Sequence, residues 1–446
     1  MSDKARWSEI LKRLPGGLSG CGEETGAARV AGPEAEAAVD RSADRLGRND
    51  GLEADAVGEA LDAHHQQRRA LLKAGGACGA LVAASPLLSV ADAAEGARAA
   101  APRKDPGGRL FPATGGRVHT IECALENTRW GVLDTTAAPV LEIDSGDVVS
   151  IQKSWMHYLN RLQKGSPLDE IVALRLSKPG VGPHSVLGPI VVRGAQPGDV
   201  LEVQYLRIAV NDWGTCFNNP GKVGTGALPD VFAEGQVRYL DIDQAQKAAR
   251  FTADITLPVA PFQGILGVAP PDGFLSTPPG YAQGVFSSVP PGPHAGNIDC
   301  REAVEGSRVY IPVFKPGALL FTGDTHALQG DGEVNLSALE TALREMRIRV
   351  ILHKKVQLKW PIHETPDAWL VHGMDKDLNA AFRIALLNAI DFLNCAANLS
   401  RLDAYALCSM GVHFRVTQVV NVNKGVYGHI PKAIFRAGLR KTMRVA

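Results

Sequence analysis

Short apolar runs separated by turns dominate the chain between residues 118 and 255. Turn residues, Ser145-Gly146 and Pro197-Gly198, stand just before two of these runs, which favours paired strands over helices. The runs lie at 140–143, 147–151, 189–192 and 201–206. This pattern predicts an antiparallel β-sandwich or barrel over the first half of the folded region.

Strands are predicted to resume at 308–313 and 347–352, and the apolar run 317–321 indicates a further, buried strand. Residues 257–298 between them carry many Pro and Gly, as expected for long ordered loops over a site.

Helical spacing of apolar residues appears only late in the chain. It runs over 376–397, where Asp377 is placed to cap the N-terminus, and a shorter helix is expected at 403–410. The predicted fold is therefore mainly β, with β-sandwich or barrel-like subdomains and a few peripheral C-terminal α-helices.

Composition agrees with this class. The 446 residues include 47 Gly and 28 Pro but only 6% aromatic residues, which favours many turns and short strands. The length allows a large core, with two subdomains around one site. Lys plus Arg equals Asp plus Glu at 47 each, so no net field favours nucleic acid or an anionic membrane.

The N-terminal region predicts export. Residues 67–93 resemble a twin-arginine signal peptide, with Arg68-Arg69, an apolar stretch from 74 to 90, and small residues at 91–93 that suit a signal peptidase. Residues 1–66 are either a disordered extension or follow from a misassigned start. We expect a periplasmic or secreted protein without a stable membrane anchor, with residues 101–446 as its folded domain.

Side chains that can bind a metal ion or transfer a proton are most closely spaced at 323–333. Asp324, His326, Asp331 and Glu333 fall there, within a glycine-rich stretch after the buried strand. His and carboxylate side chains are metal ligands, and glycines allow them to converge. A polar surface turn is the alternative interpretation, because Asp-Gly pairs are also common turn residues.

The same stretch resembles the acetamidase/formamidase family, in which a strand runs into Gly-Asp-x-His-x-x-Gln-Gly-Asp-Gly-Glu. The resemblance covers about residues 115 to 436 through several ordered motifs. Besides 323–333, they are Gly-Pro-His at 182–184 with Gly-Pro-Ile at 188–190, and the segments 194–203, 267–270, 293–299, 338–340 and 414–420. It implies that residues 101–446 form a catalytic domain of this kind, which hydrolyses a small aliphatic amide to carboxylate and ammonia as a homo-oligomer (a dimer or higher).

The resemblance also suggests a set of site residues. We expect Asp299, His326 and Asp331 to bind a divalent metal, with His294 as a further candidate. Zinc suits such a His and carboxylate set, and a neighbouring all-oxygen site would suit calcium or magnesium. A metal ion could activate the water that attacks the amide.

Two carboxylates are candidates for proton transfer. Glu333 would be the general base or a further ligand. Glu340 would be its partner, on one helix face with it if the chain is helical from Val334 onward. His184 is a candidate substrate-binding residue. His157 either faces the site or serves packing.

Two other functions remain open. One is an amidase that uses Cys300, directly after Asp299, as its nucleophile, which would require a depressed thiol pKa and a nearby base. The other is an exported, non-catalytic binding protein for a small amide or a metal. The seven cysteines show no CxxC spacing, so the sequence predicts no thiolate zinc site.

Overall fold

A computed structural model describes residues 115–445, apart from residues 220, 357 and 444. The predicted extension at 1–66 and the predicted signal peptide at 67–93 lie outside the described residues. The first eleven strands are β1 (Val118–Glu122), β2 (Thr128–Trp130), β3 (Val132–Asp134), β4 (Leu141–Ile143), β5 (Val148–Gln152), β6 (Ser185–Val192), β7 (Val200–Val210), β8 (Trp213–Asn218), β9 (Gln236–Asp243), β10 (Ala248–Arg250) and β11 (Thr256–Pro258).

The other strands complete the mainly β fold. They are β12 (Phe262–Gly267), β13 (Val285–Ser287), β14 (Ala295–Asn297), β15 (Arg308–Pro312), β16 (Leu320–His326), β17 (Glu340–Thr341), β18 (Leu343–His353), β19 (Ile362–Glu364), β20 (Ala368–Asp375), β21 (His413–Gln418) and β22 (Lys424–Pro431). The helices are α1 (Leu168–Ser177), α2 (Leu378–Ala397), α3 (Arg401–Gly411) and α4 (Ala437–Thr442), with a short turn at His157–Asn160 and single 3₁₀ turns at Gly221–Val223 and Lys432–Ile434.

Two large sheets form the architecture. The nine-stranded sheet has the order β1-β5-β18-β7-β15-β19-β20-β22-β21. The eleven-stranded sheet centres on β16, which pairs with β12, β17 and β6. One apolar cluster contains residues of both sheets, among them Val203, Leu370, Leu266 and Leu320, so the main core lies between the sheets.

The outer face of the nine-stranded sheet is covered by helices. Trp369 and Val371 of β20 share a second core cluster with Ile390 and Leu393 of α2 and with Cys408 of α3. Helix α2 begins where the sequence predicts, because the Asp377 side chain accepts a hydrogen bond from the Ala380 amide (2.8 Å). The predicted fold class is confirmed, and α1 is an additional helix that the sequence pattern did not indicate.

Among the described helices, α2 is long and apolar enough to cross a membrane, with a mean hydropathy of 1.4 over its best window. Here its small residues Ala381 and Ala385 are fully buried against Val426 of β22. The helix therefore packs as a core helix of the sheet.

Candidate functional site

The site is built around strand β16. Side chains alternate along a strand, so Asp324 and His326 share one face, and both are buried. The sequence pattern suggested a loop for both, but they lie on the strand itself. In the pairing of β16 with β17, His326 stands opposite Glu340. His326 Nε2 lies 3.1 Å from Glu340 Oε2 and 3.3 Å from Asp324 Oδ1.

Two histidines from other parts of the chain meet Asp324. His157 Nε2 donates a hydrogen bond to Asp324 Oδ1 at 2.9 Å and lies 3.4 Å from Glu340 Oε2. His184 Nε2 lies 3.7 Å from Asp324 Oδ2, and its Nδ1 is hydrogen-bonded to Ser288 Oγ at 2.7 Å. The carboxylate of Asp324 is thus surrounded by three imidazoles.

A third part of the site comes from the two loops that carry Asp299 and Glu333. Donor atoms of Asp299, His326 and Glu333 lie within 4.8 Å of one another, and the same holds for His157, Asp324 and Glu340. The six residues, all buried, form one continuous group that we call the central cluster. Asn421 Nδ2 donates a hydrogen bond to Asp299 Oδ2 and orients that carboxylate.

The central cluster leaves polar atoms unused. Asp299 Oδ1, both ring nitrogens of His326, Glu333 Oε2 and Glu340 Oε2 are buried and have no hydrogen-bond partner among the described residues. His326 Nε2 is close to two carboxylates, but the direction of these contacts is not that of a hydrogen bond. Buried polar atoms without partners cost free energy, and a cation bound between them would remove that cost.

Space for such a cation depends on Gly264 of β12. A Cβ at this position would lie 2.4 Å from Asp299 Oδ1, 2.7 Å from Asp324 Oδ2 and 2.9 Å from His326 Cε1. The absence of a side chain keeps the centre of the cluster open. The donor set, the unused atoms and this opening together fit a divalent metal ion.

Burial and charge separate the pKa values of the carboxyl groups. Burial raises the pKa of Asp299 to about 7, against the opposing charge of His326. Burial and the neighbouring Asp299 raise the pKa of Glu333 well above its usual value. Burial also acts on Asp324, but the neighbouring imidazoles of His184 and His326 and the hydrogen bond from His157 outweigh it and hold its pKa well below the usual range.

Backbone strain is concentrated in the same residues. Asp299, Asp324 and Glu333 have φ values of 54°, 59° and 45°, in the left-handed region that non-glycine residues rarely adopt. Such conformations persist where surrounding structure enforces them, and they are enriched at functional sites.

Comparison with known proteins identifies the family. The model of the acetamidase/formamidase family matches residues 126–278 and 280–437. The chain belongs to the acetamidase/formamidase family. The predicted family is confirmed, and with it the class of enzyme, a hydrolase that acts on amide C–N bonds.

Individual relatives agree with the assignment. The chain is 27% identical over 320 residues to a formamidase of Methylophilus methylotrophus, covering 58% of this chain and 78% of the relative. It is 30% identical over 279 residues to an acetamidase of Mycolicibacterium smegmatis, covering 47% and 69%.

Solved structures named as acetamidases share the fold. The acetamidase of Yersinia enterocolitica superposes with a TM-score of 0.63 at 27% identity, over 72% of this chain and 94% of the other. The acetamidase from Bacillus halodurans gives a TM-score of 0.61 at 28% identity, over 71% and 98%.

Most of the residues predicted for the site from the family motifs lie in one region of the structure. Asp299, His326, Glu333 and Glu340 belong to the central cluster. His184 lines a cavity together with Glu333 and Glu340 of that cluster. The stretch after Glu333 is not helical, however. Glu340 reaches the site through its strand pairing with β16, not through a shared helix face.

Two predicted metal ligands lie elsewhere. Asp331 is exposed, and its charged neighbours are Arg301, Arg415 and Glu302. His294 is fully buried beside Phe274 (ring centroids 6.0 Å apart), and burial lowers its pKa to about 3. Neither residue belongs to a group of metal-ligand atoms among the described residues.

Sequence reasoning missed Gly264 and Asn421, and it left His157 undecided. Gly264 lies in a buried strand whose sequence gives no sign that a carboxylate faces it. Asn421 follows the 414–420 motif directly, and that adjacency was the available signal. Gln418 Oε1 accepts hydrogen bonds from the amides of Val420 and Asn421, both at 2.9 Å, and shapes this turn.

The alternative nucleophile does not face the cavity. Cys300 is 2% exposed and does not line it. Burial, reinforced by the charge of Glu302, raises the pKa of its thiol, which is the opposite of what nucleophilic catalysis requires.

Proposed function

We propose that this chain hydrolyses a small aliphatic amide, such as formamide or acetamide, to the carboxylate and ammonia at the central cluster. The observation that carries the proposal is the set of buried donor atoms without partners, on Asp299, His326, Glu333 and Glu340, around the opening left by Gly264. The formamidase and acetamidase names of the relatives supply the substrate class.

The residues that would hold a divalent cation are His326 with Asp299, and His157 with Asp324 and Glu340. Glu333, whose carboxylate completes the group of His326 and Asp299, is left for proton transfer. A bound cation would polarise the amide carbonyl and lower the pKa of a water molecule. Zinc is our proposal for the ion, as inferred from the sequence, because both groups combine a histidine with carboxylates. The two fixed carboxylates Asp299 and Asp324 are held in place by Asn421 and His157, respectively.

Glu333 is proposed to move the proton. Its carboxylate takes a proton from the attacking water, whose oxygen bonds to the amide carbon. The C–N bond then breaks, and the departing nitrogen leaves as ammonia with that proton. A buried carboxyl with a raised pKa can both take up and release a proton. Glu340 is the nearest alternative carrier, because it lines the same cavity.

The cavity also contains hydrogen-bonding groups that could recognise a primary amide. Asn219 and Asn297 line the cavity, and their buried Oδ1 atoms have no hydrogen-bond partner among the described residues. They can accept from the N–H groups of the substrate. Burial lowers the pKa of His184 to about 3, so its neutral ring can donate to a carbonyl oxygen. The small cavity favours short acyl groups.

The first test measures ammonia release from formamide and acetamide, with binding of each amide followed by calorimetry. The proposal predicts turnover of at least one of them, and a KM raised by Asn297→Leu. Saturable binding of both amides without ammonia would support the non-catalytic alternative. Turnover abolished by Cys300→Ser but not by Glu333→Gln would support the thiol mechanism.

A further inference from the structure

A second group of ligand side chains lies outside the central cluster. His363 of β19 pairs with Leu370 of β20, and His372 follows two residues later, so both imidazoles share one sheet face. This face also carries Val309 and Leu370 and belongs to the core between the sheets. The three side chains Cys300, His363 and His372 are 2%, 4% and 0% exposed.

The geometry of this group suits one ion. The ligand atoms of Cys300, His363 and His372 all lie within 4.8 Å of one another. His363 Nδ1 and His372 Nε2 are 2.8 Å apart, and the ring centroids are 4.9 Å apart. Burial lowers the pKa of His363 to about 3 and that of His372 well below its usual value, so both rings are neutral, the form in which histidine binds a metal ion.

A simple hydrogen bond between the two rings accounts for only part of this arrangement. It satisfies one nitrogen of each ring, yet His372 Nδ1 is buried without a hydrogen-bond partner among the described residues. It also leaves the Cys300 thiol beside two neutral imidazoles in the core. Two imidazoles and a thiol converging in one interior place are costly unless they bind something.

The donor types determine which ion would fit. A cysteine thiol, which loses its proton on binding a metal, and two imidazoles form a set that zinc and similar borderline transition metals prefer, whereas calcium and magnesium prefer oxygen. The central cluster contains nitrogen and oxygen donors but no sulfur. The two groups are therefore chemically distinguishable, although Asp299 and Cys300 are neighbours in the chain.

We propose that Cys300, His363 and His372 form a second, structural metal site for zinc or a similar transition metal. The ion joins the inner face of β19 and β20 to the loop that carries Asp299. Gln329 Nε2 already donates a hydrogen bond to the Asp299 carbonyl (3.1 Å), so the loop would be held from both sides. Asp299, the neighbour of Cys300 in the chain, is thereby positioned for the central cluster.

Cobalt provides a direct test, because only a site with a sulfur ligand gives a thiolate-to-cobalt charge-transfer absorption. The full chain is stripped of metal, titrated with Co²⁺ alone and followed by near-ultraviolet spectroscopy and elemental analysis. The proposal predicts this absorption in the unsubstituted protein. Its absence from cobalt-loaded protein would overturn the proposal, whatever the amidase activity.

Variants locate the signal. Cys300→Ser, His363→Gln and His372→Gln should each lose the absorption and about one equivalent of bound metal. Cys408→Ser, which changes another buried free thiol, and Glu333→Gln in the central cluster should both keep it. Circular dichroism checks folding, and His372→Gln leaves the thiol in place if Cys300→Ser fails to fold. Absorption that persists in folded Cys300→Ser or His372→Gln would contradict the site.

Discussion

At the scale of single residues, the site depends on a chain of contacts around Asp324 and His326. Asp324 accepts a hydrogen bond from His157 and lies close to His184 and His326. His326 in turn lies close to Glu340. Each of these side chains is buried, so every unsatisfied donor or acceptor matters more than it would at the surface. Small changes in one residue are therefore expected to alter the whole cluster.

Replacing Glu333 by Gln removes the proposed proton carrier with little change in shape. We expect kcat to fall by about 10²- to 10⁴-fold, which is the usual contribution of general acid–base catalysis. Glu340→Gln should also lower kcat, through the loss of a cluster carboxylate. Steady-state ammonia release measures both.

Glu345→Gln is the matched control for these two variants. Glu345 lies on β18 and pairs with Arg207 and Arg347 away from the cavity, so its replacement should leave kcat unchanged. Full activity in Glu333→Gln would remove Glu333 from the mechanism. An equal loss of activity in the Glu345→Gln control would mean that the loss in Glu333→Gln is not specific to the cluster and does not support a role for Glu333.

Gly264→Ala tests the opening at the centre of the cluster. The added Cβ would meet the ends of the Asp299 and Asp324 side chains, which can move aside, so the fold should survive. Displaced ligands would lose metal affinity, and misplacement by about 1 Å can cost about 10²-fold in rate. Metal content and thermal unfolding are measured together. Normal metal content with normal activity would show that the opening is not needed.

At the scale of secondary-structure elements, the join between α2 and the nine-stranded sheet depends on Gly373 of β20. A Cβ there would lie 2.2 Å from Ala385 N and 2.5 Å from Ala381 O, which are backbone atoms that cannot move independently of the helix. Gly373→Ala should destabilise the protein by about 1 to 3 kcal/mol, as overpacking does. Denaturant unfolding measures this loss.

Gly438→Ala in α4 is the control for this clash, since no atom lies within 4 Å of its added Cβ. It should be neutral or slightly stabilising because alanine favours a helix. Equal stability of the Gly373 and Gly438 variants would mean that α2 does not pack this closely on the sheet.

The outer face of the same sheet carries a buried carboxylate. Glu202 of β7 accepts hydrogen bonds from Arg308 Nη1 (2.8 Å) and Gln204 Nε2 (2.7 Å), and His353 Nε2 lies 2.8 Å away. Burial opposes ionisation, but the bond from His353 and the charge of Arg308 lower the pKa of Glu202 below its usual value. Its stabilising contribution is therefore present above about pH 4.5 and is lost as the pH falls through the folded-state value.

Glu202→Gln should accordingly destabilise the protein by about 1 to 3 kcal/mol at pH 7 and by less at pH 4. Urea unfolding at the two pH values measures the difference. Glu142→Gln removes an exposed partner of Arg193 and should change stability by less than about 0.5 kcal/mol. A loss in Glu202→Gln that is the same at both pH values would contradict the depressed pKa.

The spacing of apolar residues was sufficient to predict the secondary-structure elements that are determined by residues close together in the sequence. The Asp377 cap and the apolar spacing gave α2 almost to the residue, and the turn residues marked several strands. It failed where the signal is not local. Asp324 and His326 look like loop residues beside glycines, but pairing with β12 and β17 continues the strand through them. Glu340 likewise depends on a partner strand that no helical spacing could predict.

At the scale of the whole molecule, two packed sheets bring together residues that are far apart in the chain. His157 and Asp324 are separated by 167 positions, and Asn421 and Asp299 by 122. The sequence motifs identified many of the participants, because each motif carries its own ligand types. The motifs could not show which of these residues converge in the folded protein. Asp331 and His294 stand in the same motifs, yet they lie outside the central cluster. The predicted export, oligomeric state and metal identity remain predictions.

The central claim is that the central cluster holds a divalent metal ion needed for amide hydrolysis. Its most direct test is ammonia release from formamide and acetamide measured on one preparation before chelation, after complete metal removal, and after zinc is restored, with metal content determined each time. We expect release that disappears with the metal and returns with it. Undiminished release from metal-free protein would contradict the claim.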